Sequence, residues 1–431
     1  MLSRFRRLGQ EFFWIILGQV GAVAGAIVGV RLLTGLLSPA AYGELALGMT
    51  LVTLTQQAIL GPLGNGVTRF YAPAVEQGDL GGYLNVVRRL MLSATGIIVL
   101  LTLFGIAGLL IAGRTEWIPI TTVAAIFAIL SGYNSTLSGI QNAARQRSVV
   151  ALHQGMESWL RFLVAAGFLS WLGGLSSIAM SGYAVAVILV LGSQYMFFRR
   201  IVSRQITGAS EERNWQAQVW DYSWPFAIFG MFTWAQLASD RWALGVFAST
   251  KAVGLYAVLF QLGYYPISMA TGMAMQFLAP IFYQRAGDAS DQQRNADVRK
   301  LSWRLTWLIL SGTGASFLVA LLFHPQIFRI LVAKEYAGVS HLLPWVMLGG
   351  GVFAAGQALA LNLMSQLKTR AMMVAKVVTA LFGVGLNFVG AYWYGTTGIV
   401  AAGILFAVSY LLWMAFLSMR EGPKTVPWQN G

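Results

Sequence analysis

Long apolar stretches separated by short polar segments are the main pattern of this sequence. Most of them reach about 20 residues or more, the length that an α-helix needs to cross the hydrocarbon core of a bilayer. The pattern therefore predicts twelve membrane-spanning helices. They cover roughly residues 12–36, 44–72, 89–112, 117–143, 148–172, 174–198, 220–248, 255–283, 301–323, 339–366, 371–394 and 398–419.

The composition also indicates a multi-pass membrane protein. The 431 residues are 57% hydrophobic and only 10% charged, with a mean hydropathy of +0.65, whereas soluble domains are about 25% charged. Helices satisfy their backbone hydrogen bonds internally, as hydrocarbon requires, and the sequence lacks the alternating pattern of a barrel. The predicted fold class is thus an all-α integral membrane protein. The chain has no cysteine, which excludes disulfides and thiolate metal sites, and we expect neither a metal nor a cofactor.

The distribution of Lys and Arg predicts the orientation of the chain in the membrane. An even number of spans places both termini on one side, and the positive side is cytoplasmic. Segments on the side of the termini hold 20 Lys and Arg, and the opposite loops hold four. We therefore expect both termini in the cytoplasm. The net charge of +14 then points to anionic membrane lipids as partners and not to nucleic acid.

One stretch of the sequence occurs twice. Arg31 and Gly35 recur as Arg241 and Gly245, both at an offset of 210 residues, and each copy joins two apolar segments. The chain is therefore predicted to contain two six-helix bundles of the same orientation, related by a pseudo-twofold axis along the membrane normal. The predicted domains are an N-terminal bundle (1–200), a cytoplasmic linker (201–219) and a C-terminal bundle with a cytoplasmic tail (220–431).

Glycine and proline are also placed in parallel in the two halves. Gly61-Pro62 falls within the second predicted helix, and the segment from Gly263 to Pro266 falls within the eighth. Both helices are expected to be interrupted there, as helices that line transporter substrate paths often are. The alternative is that Gly and Pro are simply frequent in membrane helices.

The loop residues of the two repeats resemble those of a known family. The matching positions are Arg31, Leu37-Ser38-Pro39 and Tyr42-Gly43 in the first copy, Asp240-Arg241, Val253-Gly254 and Tyr256 in the second, and the Gln-x-x-x-Arg turns Gln141–Arg145 and Gln366–Arg370. They resemble Wzx-type polysaccharide flippases. These form a branch of the multidrug/oligosaccharidyl-lipid/polysaccharide (MOP) exporter superfamily, which also includes the MATE multidrug exporters and the lipid II flippase.

The resemblance implies two six-helix bundles around a central cavity in a MATE-like fold. It implies a flippase in the inner membrane of a bacterium. This flippase would move an undecaprenyl-pyrophosphate-linked oligosaccharide, such as an O-antigen or exopolysaccharide unit, from the cytoplasmic to the periplasmic leaflet by alternating access. A polysaccharide polymerase and a chain-length regulator are the implied partners. Lipid II flippases usually carry two further helices, which argues against a peptidoglycan-precursor substrate.

Basic residues inside the predicted spans are the candidate substrate ligands. A charge within a bilayer costs about 2.5–3.5 kcal/mol on insertion scales and usually faces a bundle interior or an aqueous cavity. Arg161 and Lys376 are the leading candidates for the pyrophosphate, while an ion pair with Glu157 is the alternative for Arg161. Arg31, Arg69 and Arg241 lie near helix ends, where they could contact the substrate, form a gate, or extend to the interface.

Acidic and titratable groups are candidates for coupling or gating. His153 and Glu157 form a polar row with Arg161 on the fifth helix, which could couple transport to a proton or sodium gradient or could fix helix packing. Asp240 beside Arg241 could lock a closed periplasmic side or could serve to maintain the fold. With Glu157 and Asp240 as the acids within the predicted spans, the spans are expected to be net basic.

Three other functions compete with this prediction. A multidrug exporter, or an exporter of another lipid-linked precursor, would share the fold, although a cavity for cationic drugs should be acidic. A membrane glycan polymerase or ligase would need an extended loop for its active site. The longest predicted periplasmic loop, about residues 323–340, has no cluster of acids or nucleophiles. No phosphate-binding glycine loop is present, so ATP hydrolysis by this chain is not expected.

Overall fold

The computed structural model describes residues 21–205, 214–287, 289 and 291–420, except the side chains of residues 201–205, Gln276, Thr369 and Arg370. These residues form helices and turns without a strand. The helices are α1 (Gly21–Leu36), α2 (Pro39–Glu76), α3 (Leu80–Ile111), α4 (Ile118–Ala143), α5 (Arg147–Leu172), α6 (Ser176–Gln205), α7 (Trp215–Phe247), α8 (Thr250–Ala286), α9 (Gln292–Leu331), α10 (Leu343–Ser365) and α11 (Thr369–Met419). The predicted all-α fold class is confirmed.

Eight helices of the described chain are long and apolar enough to cross a membrane. α1, α5 and α7 are not among them. α1 is shorter within the described residues, α5 carries His153, Glu157 and Arg161, and α7 carries Asp221, Asp240 and Arg241. Each predicted apolar stretch overlaps a helix along most of its described length, and the chain is a multi-pass membrane protein. The count of twelve spans stays a prediction, as do the inner-membrane location and the orientation of the termini.

The chain divides into two compact units, Met1–Ala238 and Ser239–Gly431, whose boundary lies within α7. Residues 206–213 of the predicted linker lie outside the described residues. α6 continues to Gln205 before this gap, and α7 begins at Trp215 after it. The predicted domain bounds stay a prediction.

Matching local structure in the two halves supports the internal repeat. Ser38 caps α2 by accepting a hydrogen bond from a backbone amide three residues later, and Ser249 caps α8 in the same way. Each of these helices contains one five-residue π-helical turn, Gln56–Leu60 in α2 and Phe260–Tyr264 in α8. The Gly and Pro residues therefore change the winding of α2 and α8 without ending them, which corrects the expected interruption.

The proline after each π turn explains its position. Gly61 donates its amide hydrogen to Gln56 five residues earlier. The next residue, Pro62, has no amide hydrogen to give to the carbonyl of Gln57. Tyr265 and Pro266 repeat this arrangement in α8.

The turn before α5 and the turn before α11 are also equivalent. Arg145 has a φ of 60° and Leu367 a φ of 58°, and the residue after each donates its amide to a carbonyl five positions earlier. The structural offset is thus 222 residues. The Gln-x-x-x-Arg pattern predicted that Arg145 corresponds to Arg370, but the backbone places Leu367 at the position of Arg145.

Small residues bring the helices of the first unit together, as is common in membrane bundles. A side chain at Gly29 of α1 would overlap the ring of Phe162 in α5. Gly182 of α6 lies against the backbone of Ala165 in α5. These contacts fix α5 between α1 and α6, with its polar row inside the unit.

α10 is the central helix of the second unit, and most of its residues are buried. It packs against α8, α9 and α11. α11 is a hairpin bent at Gly395, whose φ of 54° and ψ of −130° require glycine. Its two arms are in backbone contact at Gly390 and Gly398, and Lys368 at the start of the hairpin donates to the carbonyl of Arg420 at the end.

Candidate functional site

A polar centre lies inside the first unit, where α4, α5 and α6 meet. The carboxylate of Glu157 accepts a 2.8 Å hydrogen bond from Nδ2 of Asn134, a buried residue of α4. Arg161, one turn further along α5, makes no ion pair among the described residues. Its guanidinium carbon instead lies 4.9 Å from the ring centre of Phe162 and 5.3 Å from that of Tyr183. The structure thus brings Glu157 and Arg161 into one centre, but Glu157 is hydrogen-bonded to another helix.

Two buried polar atoms of this centre have no hydrogen-bond partner. They are Oδ1 of Asn134, which can only accept, and Nε of Arg161, which can only donate. An unpaired buried polar group costs about 1–3 kcal/mol. The centre can therefore take up a group that satisfies one or both atoms, such as a water, a hydroxyl or an anionic oxygen.

His153 is hydrogen-bonded on both ring nitrogens. Nδ1 lies 2.7 Å from the carbonyl oxygen of Val149 and therefore donates its hydrogen, while Nε2 lies 3.1 Å from the hydroxyl of Ser193 in α6. The side chain is buried and packs edge-on against Phe197. This arrangement holds α5 to α6.

We expect Glu157→Gln to preserve the fold and to reveal whether Glu157 couples transport to an ion gradient. A glutamine oxygen can still accept the hydrogen bond from Asn134, whereas the charge facing Arg161 and the titratable group are both lost. If Glu157 is the coupling group, the variant should bind substrate at least as tightly as the wild type, because no carboxylate competes for Arg161, while its transport no longer responds to an imposed proton or sodium gradient. Transport is measured in proteoliposomes with and without the gradient. An unchanged gradient dependence would exclude this role.

The second unit holds a separate charged cluster at the end of α7. Nη1 of Arg241 lies 3.3 Å from Oδ1 of Asp240, and the guanidinium carbon is 4.5 Å from the ring centre of Phe260 in α8. The hydroxyl of Tyr256 is hydrogen-bonded to Asp240. Phe260 begins the π turn, so this cluster joins the end of α7 to the irregular part of α8.

The other predicted basic residues differ in their surroundings. Lys376 is half-buried on α11, and among the described residues its ammonium group has no ion pair or hydrogen bond. Arg69 is exposed on α2, with its guanidinium carbon 5.8 Å from the ring centre of Phe70. Arg31 is exposed near the end of α1. No group of three His, Cys, Asp or Glu side chains in the described chain is arranged to hold a metal ion.

Several polar side chains of the described helices form hydrogen bonds between helices. Asn362 donates to Ser418 across α10 and α11, and Asn387 donates to Ser239. Gln194 donates to Gln141 within a buried pair of α6 and α4. These residues stabilise helix packing.

The count of acids within spans was wrong, because Glu44 and Asp221 also lie within helices. Glu44 is in the first turns of α2 and accepts a 2.7 Å hydrogen bond from Ser176 at the start of α6, while Asp221 is exposed near the start of α7. The predicted spans 44–72 and 220–248 contain these two acids, so the spans hold four acidic residues and are less basic than predicted. An anionic ligand is therefore indicated only by individual cations that lack an acidic partner.

A buried hydrogen-bonded pair that no sequence pattern predicted lies at the start of α7. One carboxylate oxygen of Asp79 accepts a 2.7 Å hydrogen bond from the indole of Trp215, and the other accepts from the amide of Gly82 at the start of α3. The indole packs edge-on against Tyr83, whose hydroxyl donates to the carbonyl of Val67. This set of contacts fixes the first turn of α7 to the α2–α3 turn.

Asp79→Ala is expected to lower the thermal stability of the protein. The substitution leaves a buried indole N–H without an acceptor and removes the cap of α3, which should cost about 1–3 kcal/mol. Asp79→Asn keeps only one oxygen acceptor and should have a smaller effect. The melting temperature of the detergent-solubilised protein measures this difference. Equal melting temperatures for wild type and Asp79→Ala would contradict the assigned contacts.

The arrangement of helices is shared with transporters of the MOP superfamily. An inward-facing multidrug resistance MATE transporter is 12% identical with a TM-score of 0.68, and covers 95% of this chain and 98% of its own. The lipid II flippase MurJ in an inward closed conformation is 13% identical with a TM-score of 0.68, covering 95% of this chain and 87% of its own. A MOP transporter from Pyrococcus furiosus, described as having a binding pocket of reverse polarity, is 15% identical with a TM-score of 0.57, covering 94% and 95%.

The fold is therefore that of the MOP transporters, as the loop motifs predicted. Residues 8–285 match the sequence model of the family described as "Polysaccharide biosynthesis protein". The chain belongs to this family. A comparison with curated proteins gives no match.

Proposed function

We propose that this transporter is a flippase for an undecaprenyl-pyrophosphate-linked oligosaccharide. It would carry the lipid from the cytoplasmic to the periplasmic leaflet of a bacterial inner membrane by alternating access, with both termini in the cytoplasm. Family membership supports a role in making a polysaccharide, and the fold supports transport. The substrate is inferred from the cations described above.

The environment of Arg161 is the observation that supports the proposal. It is a permanent cation within a helix bundle, it makes no ion pair in the described chain, and its buried Nε lacks an acceptor. Arginine presents a planar set of donors that matches phosphate oxygens. The rings of Phe162 and Tyr183 hold the guanidinium, which reduces the entropy lost when an anion binds.

The other basic residues are assigned roles from their surroundings. Lys376 has no partner among the described residues, so it is the second proposed pyrophosphate ligand. Arg69 and Arg31 are exposed and would contact the substrate near the helix ends. Arg241 is paired with Asp240, and we assign this pair to gating.

Coupling to an ion gradient is part of the proposal. Glu157 is the proposed coupling group because protonation would remove the negative charge that faces Arg161. An anionic substrate would then meet a guanidinium with no competing carboxylate. A polysaccharide polymerase and a chain-length regulator are the proposed protein partners.

Leaflet transfer in proteoliposomes tests the proposed function. The fluorescent probes are undecaprenyl pyrophosphate carrying a trisaccharide, a phosphatidylcholine and a cationic drug. The proposal predicts that the wild-type protein moves the pyrophosphate lipid and leaves the other two in place. Transport of the drug alone would favour the multidrug exporter, and transport of no probe would contradict the flippase.

A further inference from the structure

A row of exposed polar residues follows α2 in the first unit. Its members are Thr53, Gln57, Asn65 and Arg69. The side-chain amides of Gln57 and Asn65 make no hydrogen bond among the described residues. Gln56 differs from its neighbour, because its amide donates to the carbonyl of Ala128 in α4. The row extends over 16 residues, or about 24 Å of helix.

The π turn is what keeps this row on one face. On a regular helix of about 3.6 residues per turn, four steps of four residues drift by about 160° around the axis. The π turn contains one extra residue between Gln57 and Asn65. Because one residue corresponds to about 100° of rotation, this extra residue reduces the drift by about 100°. Asn65 and Arg69 therefore return to the face that Thr53 and Gln57 occupy.

This face of α2 is polar, whereas the face of a helix that contacts lipid is apolar. α3 exposes Leu92, Leu100, Phe104 and Ile111, as expected for contact with hydrocarbon. Amide and guanidinium groups are costly in hydrocarbon and normally face a bundle interior or a water-filled path. The polar face of α2 therefore borders a hydrated path.

The second unit does not repeat the row. Gln261 occupies the same place in the π turn of α8 as Gln57 in α2 and is half-buried. At the same offset of 204 residues, Asn65 and Arg69 correspond to Met269 and Met273. The polar row is thus particular to α2 and does not simply follow from the duplication.

We propose that this face of α2 is the binding surface for the glycan of the transported lipid. The inference rests on the proposed flippase function and assigns Gln57 and Asn65 to sugar recognition. A primary amide offers both donors and an acceptor, which suits sugar hydroxyls. Arg69 at the end of the row complements the negative charge of the pyrophosphate. One face of about 24 Å thus offers hydroxyl-binding groups followed by a phosphate-binding group.

The double variant Gln57→Ala/Asn65→Ala tests this assignment. Binding is measured in detergent for undecaprenyl pyrophosphate with a trisaccharide and for undecaprenyl pyrophosphate without sugar. The loss of two hydrogen-bonding groups should weaken binding of the glycolipid about tenfold or more. Binding of the sugar-free lipid should change less than about twofold. Arg69→Ala should weaken binding of both lipids.

Gln56→Ala is the matched control, since Gln56 is bonded within the unit. It should lower the melting temperature without changing the preference for the glycolipid, and the double variant should keep the wild-type melting temperature. An equal loss of affinity for the two lipids, or no loss for either, would contradict the assignment of this face to glycan binding. A wild-type protein that binds both lipids but transfers neither between leaflets would instead overturn the flippase function.

Discussion

Replacing Arg161 with alanine is expected to slow leaflet transfer of the pyrophosphate lipid at least tenfold. A hydrogen bond to a charged group contributes about 1.5–3 kcal/mol, which corresponds to roughly a tenfold to hundredfold change in binding. Arg161→Lys should retain part of the activity, because it keeps the charge but loses the planar set of donors. Initial transfer rates in proteoliposomes provide the comparison.

Arg114→Ala is the matched control for this experiment. Arg114 is an exposed arginine before α4, so its loss removes the same charge from outside the helix bundle. It should transfer lipid at the wild-type rate. If Arg161→Ala matches this control while remaining folded, Arg161 is not an anion ligand, and Lys376→Ala becomes the next variant to measure.

Gly230→Ala is expected to destabilise the packing of α7 on α2. A Cβ atom at Gly230 would overlap the carbonyl oxygen of Gln57 and lie 2.6 Å from the carbonyl carbon. This backbone lies within the π turn, where Pro62 offers no amide hydrogen to that carbonyl. Because backbone atoms cannot rotate away, the two helices must separate, at a cost of about 1–3 kcal/mol.

The melting temperature and the transfer rate should both fall in this variant. Gly105→Ala is the control, since a Cβ atom there meets no neighbouring atom within 4 Å and alanine favours a helix over glycine. The control should melt at or above the wild-type temperature. A Gly230→Ala protein as stable as this control would show that α7 and α2 are not in close contact at this point.

Much of the fold could be predicted because apolar length and repeated motifs are local signals. One apolar stretch ends near Leu36, which shows where α1 ends. The next begins near Tyr42, which shows where α2 passes through the membrane. The Ser-Pro and Ser-Thr caps of α2 and α8 follow from the same repeated loops. The Gly and Pro residues correctly indicated irregular winding in α2 and α8. They could not show whether the helix forms a π turn or ends there, because both occur at similar sequences.

The site was predictable only in part because side-chain partners come from distant helices. The spacing of Glu157 and Arg161 suggested an ion pair, but Asn134 from α4 holds the carboxylate. The hydrogen bond between Asp79 and Trp215 could not be predicted, because the two residues are 136 positions apart in the sequence. The sequence repeat could have shown that Gln57 corresponds to Gln261. It could not show that the side chain of Gln57 is exposed, because this exposure depends on the extra residue in the π turn.

Transfer of two glycolipids that differ only in phosphate is the most direct test of the central claim. The wild-type protein is reconstituted with undecaprenyl-pyrophosphate trisaccharide or with the same trisaccharide linked to undecaprenol without phosphate. Recognition of the pyrophosphate by the basic residues predicts fast transfer of the first lipid and little transfer of the second. Equal transfer of both lipids would contradict an anion-recognising flippase.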